Sequence, residues 1–178
     1  MRLILACFFI SFSSSAEILW QAAPVFSYAA LPSGIEKQRH ELGAGLSFDT
    51  YVWGNNNLVL GPGLKFAATL PLHTGNKFVR VSPYSFLVEP RFTIWFIFEK
   101  NNFRFSPFIG VSGFIGANYI IRRVANSRSS NTQLILALGP RLGMSYWLSH
   151  WGLECSYTPS FGTNKIRHEI SLALGWRN

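Results

Sequence analysis

Hydrophobic and polar residues alternate with period two through most of this chain. From Ile166 to Trp176 the even positions are Ile166, His168, Ile170, Leu172, Leu174 and Trp176. The odd positions are Arg167, Glu169, Ser171, Ala173 and Gly175. Such alternation is the mark of a strand whose two faces meet different surroundings. The same pattern runs through 133–148, 151–161, 58–71, 39–53, 84–98 and 103–121, and more weakly through 18–30. Eight strands are therefore predicted. In each, one face is bulky and apolar and the other is Gly, Ser or Ala with isolated charges.

Segments rich in turn formers separate them. Gly54–Asn57, Glu99–Asn102 and Leu148–His150 read as tight joints, whereas Leu31–Gln38, Leu72–Pro83 and Arg122–Thr132 read as longer loops, with Gly162–Asn164 the shortest of that set. A faint repeat links Asn56–Leu64 with Asn101–Ile109. Five prolines (Pro62, Pro90, Pro107, Pro140 and Pro159) fall inside predicted strands, where local bulges are expected.

Two surroundings would suit these strands. In a soluble lipocalin-like barrel or a β-sandwich the bulky face would turn inward. In a membrane barrel it would turn to lipid, and the small and charged face would fill a narrow lumen. Composition favours the second. Charged residues are only 13% of 178, about half the share usual in soluble domains, while 48% are hydrophobic and 16% aromatic. No stretch reaches 18 consecutive apolar residues, so a transmembrane helix is not predicted. A closed β-barrel is the remaining way to satisfy every backbone polar group within hydrocarbon.

Residues 1–16 read as a secretory signal: Arg2, an apolar run from Leu3 to Phe12, and small residues Ser14 and Ala16 before a cut. Cys7 gives weak support to a lipoprotein box. Cleavage after Ala16 would leave Cys155 alone, with no internal disulfide. Residues 17–178 form the predicted barrel domain.

The signal, the eight alternating segments, the short-turn and long-loop rhythm, and the closing Ile170–Trp176 strand resemble the small outer-membrane barrels of the OmpA/OmpX/Opa kind. The resemblance covers residues 17–178. It implies an all-β, eight-stranded, antiparallel, up-and-down transmembrane β-barrel in a Gram-negative outer membrane. Short turns would face the periplasm and longer loops the exterior. It also implies delivery by the barrel-assembly machinery through the last strand, where Trp176 supplies the terminal aromatic and Arg177 and Asn178 follow it. A monomer is expected.

Parity assigns candidate site residues. Lys65, Glu89, Arg91, Arg141, Arg167 and Glu169 are expected to share the middle of the lumen, with Asp49, Arg104 and Glu154 below and Glu41 near the top. Trp53, Trp95 and Trp147 are expected to form a stopper at the lower end. These charges read either as a fixed plug or as a gate on a narrow ion path.

The formal net charge is +8. The outer loops hold Lys37, Arg39, Lys77, Arg80, Arg122, Arg123, Arg128 and Lys165 against Glu36 alone. Of these, Lys77, Arg80, Arg122, Arg123 and Arg128 are the candidates for contact with the phosphates of lipopolysaccharide. No nucleic-acid motif, metal-ligand spacing or cofactor signature is present. His40 and His168 fall on the bulky face near the outer interface, where a lipid A deacylase would hold its base. No His-x-Ser pair accompanies either, so a non-catalytic role is expected.

Overall fold

The computed structural model describes residues 19–31, 39–55, 57–72, 79–101, 103–124, 127–162 and 166–177. Ten strands follow one another: β1 (Leu19–Leu31), β2 (Arg39–Tyr51), β3 (Trp53–Asn55), β4 (Leu58–Pro71), β5 (Val79–Phe96), β6 (Phe98–Lys100), β7 (Phe103–Val124), β8 (Ser127–Leu148), β9 (Trp151–Gly162) and β10 (Ile166–Arg177). β3 continues β2 beyond a break at Val52, and β6 continues β5 beyond Ile97. The ten strands thus make eight staves. Each stave pairs antiparallel with its chain neighbours, and the β1–β10 and β2–β4 pairings close the sheet. Closure leaves no edge, as a transmembrane barrel requires.

The register fixes the stagger. A row of partners starting at Leu42 runs through Tyr28, Ile170, Tyr157, Leu142, Ile109, Ile94 and Leu60. It returns to its own stave at Val52, whose N–H bonds to Leu60 O. The stave has advanced ten residues in one circuit. Eight strands with that shear tilt about 40° from the axis and leave an interior that side chains can fill.

The faces divide as the alternation predicts, with bulky side chains outward. Phe26 is 66% exposed and Leu134 is 69% exposed, while Arg141 and Glu169 are each 1% exposed. Lower aromatics gather in an outward girdle. Trp20 meets Trp176 edge-on at 5.1 Å, and Phe105 lies 4.9 Å from Tyr146. Phe98, Phe103 and Trp151 are exposed at the same end of the barrel. Such girdles mark the level of the bilayer interface. Cys155 faces out between them, opposite Met144 and Leu172. A charged maleimide should label it at least about tenfold more slowly in lipid vesicles than in unfolding urea, since the thiol is withheld from water. Equal rates, read by mass spectrometry, would place it outside the membrane.

Three expectations need correction. First, the prolines do not bulge their strands. Pro62 pairs with Phe92, Pro107 with Met144 and Pro140 with Val111 in unbroken register. The cost appears instead as gaps in the ladder. β5–β7 pairing skips Glu89 and Pro90, and β8–β9 pairing skips the stretch where Pro140 and Pro159 sit. A missing N–H removes a bond without inserting a residue.

Second, the bulge lies at Val52. β3 pairs with β4 one residue out of phase with β2, so Trp53 falls opposite Leu60. That register takes Trp53 off the lumen parity of Asp49 and Tyr51. Its side chain lies outside the described ones.

Third, the strands outrun the alternation. β5 begins at Val79 rather than at residue 84, β7 continues to Val124, and β8 starts at Ser127. The segment 122–132 is therefore mostly β-ladder, not loop. Beyond the bilayer both faces of a sheet meet water, so pairing continues where the hydrophobic contrast has ended.

Candidate functional site: the lumen and the outer rim

Lumen parity and shear together decide which charges meet. Lys65 Nζ, on β4, lies 2.6 Å from Glu89 on β5 and also pairs with Glu169 on β10. Arg167 Nη1 reaches Glu41 at 2.7 Å, and its Nη2 reaches Glu169 at 2.9 Å. Thr69 Oγ1 donates to Glu41 at 3.2 Å. These residues form one connected chain, Glu89–Lys65–Glu169–Arg167–Glu41, across four staves.

Two further pairs lie closer to the turns. Arg91 grips Asp49 in a two-pronged contact, with Nε at 2.8 Å from Oδ1. Arg141 pairs with Glu154 and donates to Thr93 at 3.0 Å. The Arg141 guanidinium also covers the Phe108 ring at 4.4 Å. Glycine makes room for this packing. A Cβ on Gly63 would lie 2.0 Å from Asp49 Oδ1 and 3.0 Å from Arg91 Nε.

Below the charges is an aromatic floor. Trp95 stands 4.6 Å from Tyr51 and 6.4 Å from Phe108, centroid to centroid. The Tyr51 hydroxyl donates to Gln21 Oε1. Trp147 lies against Gly152 and Gly175, where any Cβ would strike its ring at 2.3 and 2.7 Å. Arg177 covers the Trp147 ring at 5.0 Å, and Arg104, half-buried, stands 6.0 Å from Tyr51.

The structure brings together Lys65, Glu89, Arg167 and Glu169. It separates Arg91 and Arg141 from that group and gives them Asp49 and Glu154. Among the described residues, four buried cations (Lys65, Arg91, Arg141, Arg167) and five buried carboxylates (Glu41, Asp49, Glu89, Glu154, Glu169) line the lumen as a whole, one net negative charge. Counting residues up from the turns misjudges height because each row climbs ten residues per circuit.

Trp95 and Trp147 hold the floor, and Tyr51 and Phe108 complete it. Parity alone places both in the lumen. Tyr51 was obscured by Trp53 two residues on, and Phe108 by the strong outward run of Phe103 and Phe105.

At the opposite end, β5, β7 and β8 project past the other staves. Their register puts Arg80 opposite Arg123, and Arg123 opposite Arg128, in one row on the membrane-facing parity. Arg122, opposite Val81 and Ser129, falls on the lumen parity. Two outward positions below the arginine row, Tyr84 pairs with Tyr119. The side chains of these arginines and tyrosines, and all of Lys77, lie outside the described ones. His40 and His168 face outward, and each bonds to a tyrosine hydroxyl rather than a serine.

Comparison with solved structures returns small outer-membrane barrels. Ail, the attachment invasion locus protein of Yersinia pestis, aligns with a TM-score of 0.59 at 15% identity, covering 92% of this chain and 100% of Ail. Neisserial surface protein A aligns with a TM-score of 0.52 at 15% identity, covering 89% of this chain and 95% of its own. A second Ail structure, in complex with the heparin analogue sucrose octasulfate, aligns with a TM-score of 0.53 at 14% identity, covering 92% of this chain and 100% of Ail. No family model and no curated protein matched the chain. At these identities the likeness shows the fold, an eight-stranded outer-membrane-type barrel.

Proposed function

We propose that this chain is a non-catalytic surface protein of a Gram-negative outer membrane. Its ion-paired lumen serves as a closed structural post, and its basic outer end binds the phosphates of lipopolysaccharide. One observation carries this reading: the segregation of charge. Five of the eight acidic residues are turned into the lumen, where they balance four cations. The positive excess is thereby left to the ends of the barrel. The sequence segments read as outer loops hold eight Lys and Arg residues against a single acid, Glu36.

The arginine row supports lipid phosphate over a ligand in open solution. Like charges directly opposite one another repel across a ladder, so a row of Arg80, Arg123 and Arg128 favours an anion lying over it. The row stands four residues above Tyr84 and Tyr119, about 13 Å along the strand. Tyrosines of that kind sit at the headgroup level, and lipid A phosphates lie just beyond it. A barrel of this fold can carry a polyanion, as the Ail complex with sucrose octasulfate illustrates.

The test is lipopolysaccharide binding by the refolded barrel at low and high salt. Replacing Arg80, Arg123 and Arg128 together with Glu should weaken binding at least about tenfold at low salt and flatten its salt dependence. Unchanged binding in that variant would reject the reading. Lipid A from cells expressing the protein should keep its acyl pattern by mass spectrometry; a shortened pattern would instead favour the enzyme. The barrel-assembly machinery, engaged by the strand ending at Trp176, and a monomeric state complete the proposal.

A further inference from the structure

The lipid-facing side of the barrel carries two apolar grooves, one on each flank of Ile115. The upper groove encloses about 710 Å³ over β2, β4, β5, β7 and β8. Gly45, Ala68, Gly116 and Ala117 make its floor, and Phe66 and Phe86 stand as walls. The register explains the hollow. Ala44, Ala68, Phe86, Ala117 and Leu134 form one outward row, in which three of five side chains are single methyls. The lower groove encloses about 410 Å³ over β5, β7, β8 and β9, between Pro90, Gly113, Leu138 and Phe161. Ile115 lines both.

Gly113 shows that the lower groove is not a by-product of close packing. Every other described glycine would place a Cβ within 2.8 Å of another atom, so its neighbours require it. A Cβ on Gly113 would meet nothing closer than Pro90 Cγ at 3.5 Å. Gly113 also sits on the outward parity, between the exposed Val111 and Ile115, where this chain mostly carries bulky side chains. Glycine weakens a strand, and at this position no steric demand offsets that cost. What the missing side chain provides is the groove.

Two observations name an occupant. Both grooves cross β5, β7 and β8, the same three staves that carry Arg80, Arg123 and Arg128 in a row above them. The second is depth. Gly113 lies six residues below Tyr119 on β7, about 20 Å along the strand. At a tilt near 40° that is about 15 Å of depth, half of a hydrocarbon core of about 30 Å. The grooves thus occupy the outer half of the membrane beneath a cationic rim. An anionic head with chains on both sides fits this layout, whereas a single-chain amphiphile would leave one groove empty.

We infer that the two grooves seat acyl chains of one lipid A molecule on either side of Ile115, with its phosphates at the arginine row. This rests on the phosphate-binding reading above and adds recognition of the chains to it. Bulk lipid tails are as apolar as the grooves, so the selectivity comes from packing alone and is modest.

Native mass spectrometry of the full refolded barrel tests the inference with two probes: lipid A bearing its full set of chains, and lipid A stripped of all of them. The Gly113→Phe/Ala117→Phe variant fills both grooves. It should bind intact lipid A about fivefold more weakly than the wild type and stripped lipid A equally well. Replacing Arg80, Arg123 and Arg128 together with Glu should weaken both probes. Leu172→Phe, which enlarges an exposed side chain on β10 outside the grooves, should change neither. Equal binding of intact lipid A by the filled variant would overturn the inference and leave the phosphate reading standing. An equal loss in Leu172→Phe would also overturn it, because the effect would not belong to the grooves. Normal binding of both probes by the arginine variant would reject the phosphate reading, and lipid A as the occupant with it. The heat-dependent gel shift of a folded barrel checks each variant. Should the double variant not fold, Gly113→Leu fills the lower groove alone and should weaken intact lipid A about twofold, with no change overturning the inference.

Discussion

Lys65→Met should lower the unfolding free energy of the barrel by about 3–5 kcal/mol, read as a fall in the urea midpoint in lipid vesicles. Lys65 is one of the two cations in the longest ion chain. Its ammonium stands between Glu89 and Glu169 and lies 3.5 Å from Ser171 Oγ. Methionine fills similar volume but leaves two carboxylates at that level. Glu169 keeps Arg167, through bonds of 3.2 and 2.9 Å, so the larger penalty falls on Glu89. The double variant Lys65→Met/Glu89→Gln removes both members of that pair and should recover most of the loss, because a buried ion pair replaced whole is often nearly neutral. A single variant as stable as the wild type would show that these carboxylates are well hydrated, and the rigid-post reading would fail.

Trp147→Ala should cost a similar amount, about 3–5 kcal/mol, for a different reason. Trp147 is 1% exposed and packed against two glycines. Truncation opens a cavity whose glycine walls have no side chains with which to close it. The wild-type protein should show no ion steps in planar bilayers, and Trp147→Ala should also stay silent. The Arg141–Glu154 and Arg91–Asp49 pairs still block the lumen above the floor. Steps in Trp147→Ala would mean that the aromatic floor is the only seal. Steps in the wild type would favour the gated ion path over the closed post.

Much of the molecule could be read from residue order because a strand has only two faces. Arg141, Glu169 and Lys65 fall opposite the leucines and phenylalanines of their own strands, and the structure puts all three inside. The exceptions have physical causes. Val52 inserts one residue into its ladder, which shifts Trp53 and leaves Tyr51 as the ring against Trp95. Ser127–Thr132 lacks an alternation of apolar and polar residues in the sequence, yet it extends the sheet. The histidine–tyrosine pairs join residues 12 and 11 positions apart in the sequence on neighbouring strands. A diagonal contact of that kind needs the register, which periodicity does not supply.

The order of residues by itself determined which side chains face lipid and which face the lumen, since alternation is local and needs only the extended backbone. It likewise set the number of staves. Only the tertiary structure decided partners. The ten-residue stagger slides Asp49 to Arg91, Glu154 to Arg141 and Glu41 to Arg167, and it brings three arginines into one row. Stagger is a property of the closed cylinder: it arises when the first strand meets the last, and no single strand contains it.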